Sequence, residues 1–267
     1  MSGRMSRRLP FLPDIPKVCV VQLQGPIGIG PRGLSDATVA PLLEKAFRAK
    51  PDAVALQISS PGGSPVQSSL IGGRIRRLAD ERKVPVVAFV EDVAASGGYW
   101  LAAAADEIYA DASSVVGSIG VISAGFGAQE FIARHGIERR IHTSGRSKSF
   151  LDPFRPEKPE DVERLERLLE EIHEHFVAHV TSRRGAKLAE GADLFTGEFW
   201  TGARAKELGL VDGIGHLVPE MKRRFGPKTK FRKFGQKRSL FQRLGAHAVS
   251  GVFAELDERA AYARFGL

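Results

Sequence analysis

The 267 residues, 43% hydrophobic and 26% charged, have the balance of an ordinary globular chain, long enough for one large core or two small ones. The single Cys19 excludes an intrachain disulfide framework and a cysteine-rich metal site, and no stretch reaches the ~18–20 apolar residues of a membrane span. Net charge is +8, and much of the excess sits in 222–238, which holds nine Lys/Arg and no Asp/Glu.

Residues 1–16 read as a flexible lead without the apolar core of a secretory signal, so the expected location is cytoplasmic. A buried strand follows at 18–23 (VCVVQL), then a Gly/Pro loop at 25–33. Ser35 caps a helix to about 49, with Val39, Leu42, Leu43, Ala46 and Phe47 at helical spacing. A second strand at 53–59 ends in the turn Ser60-Pro61-Gly62-Gly63, and Ser64 or Pro65 opens a helix to about 82. The third strand, 85–91, runs into DVAASGGYWLAAAAD, whose 101–105 is good helix material.

Short strands are predicted at 107–110, 117–122 and 138–142, with a helix at 128–135. A polar loop at 143–156 precedes a long helix, 159–184, with Val162, Leu165, Leu168, Leu169, Ile172, Phe176 and Val180 on one stripe. The helix 217–225 closes the compact domain, 17–225. The remainder, 226–267, reads as a solvated basic tail with a candidate amphipathic helix at 240–263; contact with a membrane surface is its sharper reading, and nucleic acid is not expected. Strands alternating with helices imply an α/β fold with parallel pairing through right-handed crossovers. A doubly wound sheet and a superhelical stack of ββα units both fit.

Acyl transfer needs a nucleophile, a base and donors for the oxyanion. Ser96, at a strand-to-helix turn, is the candidate nucleophile. The turn through Gly62 and Gly63 ends the preceding strand, so the N–H groups of Gly63 and Gly97 could converge on one oxygen, although Pro-Gly-Gly is also an ordinary turn. None of the seven histidines forms an evident triad with Ser96. His175 and His179 have metal-ligand spacing, but they lack the following Glu and a third ligand and read as surface residues. Lys148 lies in SGRSKSFLDPF, where Phe150, Leu151 and Phe154 could wall a pocket. A lysine in water is neutral only about once in 2,500 at pH 7, so such a base needs burial.

VEDVAASGGYWLAAAADEIYA, GSIGV, SGRSKSFLDPFRP and FTGEFWTGARAKELGLVDGIG, with LQISSPGGSP upstream, resemble the signal peptide peptidase A-type serine peptidases over about 18–225. The resemblance implies a Clp/crotonase-like fold of superhelical ββα units in a single repeat. It also implies a Ser–Lys dyad of Ser96 as nucleophile and Lys148 as general base, with oxyanion donors Gly63 and Gly97 and a substrate-binding turn shaped by Gly62. No cofactor or metal is implied; the substrates are unfolded or apolar peptides such as remnant signal peptides. The lysine commonly reaches a serine in another subunit or repeat, so a homo-oligomer is expected. Family members usually carry an N-terminal membrane anchor, which this sequence does not display; the basic tail could substitute by peripheral attachment. Three alternatives share some of these features: a crotonase-like acyl-CoA hydratase or isomerase, a catalytically silent peptide-binding scaffold, and a Clp-type Ser-His-Asp peptidase. The hydratase needs no serine at the turn, and the Ser-His-Asp enzyme needs a histidine motif soon after it.

Overall fold

The computed structural model describes residues 15–28, 33–145, 147–236 and 262–266. Its centre is a mostly parallel sheet in a mixed α/β fold. β1 (Lys17–Gln24) lies between β2 (Ala53–Ser60) and an outer strand, Lys230–Phe234; β3 (Val86–Ala95) flanks β2 on the other side. Cys19, Val21 and Leu23 point to one sheet face, Val18 and Val20 to the other, and all five are buried. An apolar run buried on both faces is how a central parallel strand reads in sequence.

At β3 the sheet forks. Its first half pairs with β4 (Glu107–Ala110), and its second half, Val93–Ala95, pairs with β5 (Val115–Gly117). β6 (Phe199–Thr201) adds to β5 as the antiparallel member, and β7 (Gly213–Ile214) adds to β4. The helices α1 (Asp36–Arg48), α2 (Pro65–Arg82), α3 (Gly97–Ala103) and α5 (Pro159–Arg184) bury their apolar faces in the larger core. The short α4 (Gln129–Arg134) has no buried residue, and α6 (Gly202–Glu207) buries Ala205. α7 (Leu217–Phe225) covers the second sheet face through Met221. Ser35 caps α1 as its sequence suggests: its hydroxyl accepts from Thr38 N–H and the Thr38 hydroxyl accepts from Ser35 N–H.

Four expectations change. β3 runs on to Ala95 and α3 begins at Gly97, so no loop separates strand, serine and helix. The strand expected at 117–122 stops at Gly117, because Ser118 at φ 53° cannot continue a pleat. Among the described residues nothing pairs with 138–142, which is mostly exposed. The stretch taken as the start of a tail is β8 (Lys230–Phe234), which pairs with β1, so the sheet extends past the expected boundary at 225. The lead through residue 14 and most of the candidate helix 240–263 lie outside the described residues. Among the described residues no helix is long and apolar enough to cross a membrane.

One buried ion pair ties the last third of the chain to the sheet. Arg184, only 2% exposed, donates to Asp212 (2.6 Å) and to Gly209 O, while Asp212 also accepts from Lys187 Nζ and from Ile108 N–H, each at 2.7 Å. Burial pushes the Asp212 carboxyl up, but the bonds from Lys187, Ile108 and Arg184 outweigh it and hold the group below its usual range. Similarly, Arg223 and then Arg224 hold Glu220 down to about 2. Carboxylates depressed in the folded state stabilise it fully above their unfolded pKa, and that contribution drains away as pH falls through the folded value. Urea midpoints should therefore drop between about pH 4.5 and pH 2, the usual and folded values for Glu220. Asp212→Asn, which strands a buried guanidinium, should cost about 3 kcal/mol at neutral pH by urea denaturation; a loss under ~1 kcal/mol would show the pair to be incidental.

Candidate active site

The ends of β2 and β3 deliver the residues singled out by sequence to one place. Ser96 follows β3 directly at φ 52°, ψ −123°, a left-handed conformation that a serine rarely adopts. Its N–H donates to Gly117 O (2.8 Å), and its carbonyl accepts from Tyr99 and Trp100 N–H. In the run 93–105 every residue is buried except Ser96, which is half-buried, so the elbow lifts one side chain out of the core.

The turn after β2 closes against this elbow. A Cβ on Gly62 would lie 2.8 Å from Ala95 O, Gly97 N and Ser96 Cβ, so only glycine allows this approach. Gly63 is fixed by a bridge to Ile27: Ile27 N–H donates to Gly62 O and Ser64 N–H to Ile27 O, both at 2.7 Å. Among the described residues no acceptor meets the N–H of Gly63 or of Gly97. Two free donors therefore flank the serine, Gly97 buried and Gly63 exposed.

Ser96, Gly63 and Gly97 line a cleft of about 580 Å³. Its apolar wall comes from Trp100, Ile122, Ile172 and Phe176, and its rim from Ser118 and Gly197. The Trp100 ring stacks on Phe176 and His179 and also faces the cleft. Arg264 lines the cleft too, Tyr262 Oη donates to Ser59 O (2.9 Å), and Phe265 packs edge-on against Phe199. These C-terminal contacts carry no local sequence signal.

Among the described residues the cleft holds no carboxylate, histidine or lysine. Lys148 is exposed in the turn after Gly145, outside the cleft lining, and beside it Ser149 Oγ is buried without a hydrogen-bond partner among the described residues. Three histidines are engaged away from Ser96. His179, expected at the surface, is half-buried and donates from Nε2 to Trp100 O (3.0 Å), and burial lowers its pKa. His173 bonds Ile119 O. His216 meets Asp111 at 2.8 Å, and it holds that carboxyl below its usual range. That pair borders a different hollow, of about 440 Å³, which does not contain Ser96. Among the described residues a Ser-His-Asp triad is therefore not assembled at Ser96.

The model of peptidase family S49 matches residues 79–223, more than half of the chain. The chain belongs to peptidase family S49. A Brucella melitensis protein named Na(+)/H(+) antiporter NhaA is 45% identical across 100% of this chain, which spans 39% of that protein's length. Serine protease SPPA, chloroplastic, of Arabidopsis thaliana is 34% identical over 62% of this chain and 24% of its own. Among solved structures, a mutant of the 1510-N membrane-bound stomatin-specific protease superposes with TM-score 0.52 at 16% identity, covering 84% of this chain and 99% of that one. That likeness concerns the fold.

α3 keeps the elbow in place through its carbonyl end. Arg183 of α5 donates to Ala103 O and Ala105 O, Arg76 of α2 donates to Ala104 O, and Tyr99 Oη donates to Leu210 O. Cations on the last carbonyls of a short helix satisfy groups that have no helical partner. Arg183→Met should lower stability by about 2 kcal/mol in urea denaturation without altering the cleft lining; an unchanged midpoint would remove α5 from the support of the elbow.

Proposed function

We propose that the chain is an ATP-independent serine endopeptidase with a Ser–Lys dyad, acting on unfolded or apolar peptides such as remnant signal peptides. The observation that carries this is the elbow: Ser96 held half-exposed at φ 52° between two unpaired N–H donors, over an apolar cleft. A peptide carbonyl seated there would place its oxygen near Gly63 and Gly97 N–H, each such donor being worth roughly 3–4 kcal/mol as the oxyanion forms. Ser96 Oγ attacks while the neutral Lys148 amine takes its proton; the lysine returns that proton to the leaving amine and then activates the deacylating water. The forked sheet fits the Clp/crotonase-like arrangement of ββα units. An activated serine is what a crotonase-like hydratase lacks, and the strained elbow disfavours both that reading and the silent scaffold.

The base comes from an assembly of several copies in this reading. The cleft contains no base of its own among the described residues. Meanwhile no described residue from 120 to 160 is buried, and Phe126, Phe131, Ile137 and Ile122 are 94%, 63%, 57% and 67% exposed. A segment that buries so little on its own chain, beginning at the cleft wall and carrying Lys148, suits an arm that packs on a neighbouring copy. The name of the Brucella relative supports a working place beside a membrane.

Ser96→Ala should reduce cleavage of a denatured protein substrate to background with the fold intact, and Lys148→Met should lower kcat by about a thousandfold. Co-assembly of the two inactive subunits should restore activity if the lysine acts between copies. The wild-type rate should climb on the alkaline side of neutrality, since the amine must shed its proton first. Undiminished cleavage by the serine variant would dismiss the assignment.

A further inference from the structure

The end of the sheet opposite the cleft carries an organised row of lysines. Strands β8, β1, β2 and β3 lie side by side in that order, and a lysine stands at or just before the start of each: Lys230, Lys17, Lys50 and Lys83. The main chain holds these starts in line. Lys17 and Lys230 are register partners, and Lys230 N–H donates to Pro16 O; Lys17 N–H reaches Asp52, and Val54 N–H reaches Pro85 O. At roughly 4.8 Å per strand the row is about 15 Å long. Lys228 in the α7–β8 turn and Lys222 in the last turn of α7 extend it.

All six are exposed, and among the described residues none of their ammonium groups meets a carboxylate. Most acids at the same end are already engaged, Asp80 with Arg76, Glu81 with Arg77, and Glu107 and Glu220 with Arg224, while Asp52 accepts the Lys17 main-chain N–H. Two of the lysines also occupy backbone that favours glycine, Lys50 at φ 51° and Lys83 at φ 53°, each just after a helix. The turn geometry itself gives no reason for a lysine there.

We propose that this edge docks on an anionic phospholipid surface. A flat row of unpaired ammonium groups matches a plane of phosphates, and Ile15, 36% exposed next to Pro16, offers an aliphatic group to the headgroup layer. Single-stranded nucleic acid would call for exposed aromatic rings to stack its bases; among the described residues the exposed rings, Phe126, Phe131, Phe154 and Phe199, belong to the segment 122–154 and to β6. Since β2 spans roughly 25 Å from Ala53 to Ser60, docking would hold the cleft about that far above the surface. This surface works independently of the reaction assigned to Ser96.

The test is co-sedimentation of the full chain with vesicles of phosphatidylcholine alone or mixed with phosphatidylglycerol, at low and high salt. Binding is expected to the anionic vesicles only and to fade with salt. Each lysine near such a surface contributes roughly a factor of five, so Lys50→Glu/Lys83→Glu/Lys228→Glu/Lys230→Glu should lose at least a hundredfold in partitioning. Lys50→Gly/Lys83→Gly suits the backbone better than the native residues, so it keeps the fold and should still lose about 25-fold. Vesicle binding unchanged in the glycine pair would overturn the proposal and move the contact to Lys237, Arg238 and Arg243. So would equal binding to neutral vesicles, or tighter binding to a single-stranded RNA oligomer than to the anionic vesicles.

Discussion

A serine at φ 52° is the constraint on which the remaining structure depends. Such a backbone costs about 1–3 kcal/mol and persists only where its surroundings over-determine it. Here they do so from four directions. β5 takes the Ser96 N–H, α3 takes its carbonyl, the Gly62 turn closes beneath its Cβ, and α5 and α2 hold the far end of α3 through Arg183 and Arg76. Each support is a main-chain contact or a charge-assisted hydrogen bond in a buried setting, where leaving it unmade costs more than making it gains. The strain is thus offset by the packing of three helices and the fork of the sheet.

The same geometry explains why the chain has a cleft on one side and an unfinished surface beside it. Residues before 120 and after 160 supply the buried core, whereas the described residues between contribute none to it. In the proposed mechanism Ser96 and the free N–H groups of Gly63 and Gly97 are half of a catalytic site, since among the described residues no carboxylate, histidine or lysine lines the cleft. The proposed other half, Lys148, lies on the segment that the chain itself does not bury. If assembly were coupled to chemistry as proposed, an isolated subunit would stay inert.

Much of this could be read before any coordinates, for identifiable reasons. The buried strands announced themselves through β-branched runs, α5 through an apolar stripe of which Phe176 and Val180 are buried while Leu168 stays exposed, and the turn at Gly62 and Gly63 through glycine itself. Errors clustered where long-range pairing overrules local pattern. β8 is rich in Lys and Arg and looks like a tail, yet parallel pairing with β1 makes it a sheet edge, where lysines are common. GSIGV looks like a strand, yet two successive positive φ values turn it into the cleft wall. His179 looks solvated on a helix wheel and is instead stacked on Trp100, because α5 crosses α3 at that turn. The approach of residues 262–266 to the cleft has no signature short of the folded structure.

The most direct measurement is mass spectrometry of the assembled protein after treatment with a fluorophosphonate, in the wild type and in Lys148→Met. The account requires a single adduct on Ser96 in the wild type, and its near-complete loss in the lysine variant at unchanged subunit number. An adduct on another serine, or equal labelling of Ser96 with and without the amine, would contradict it.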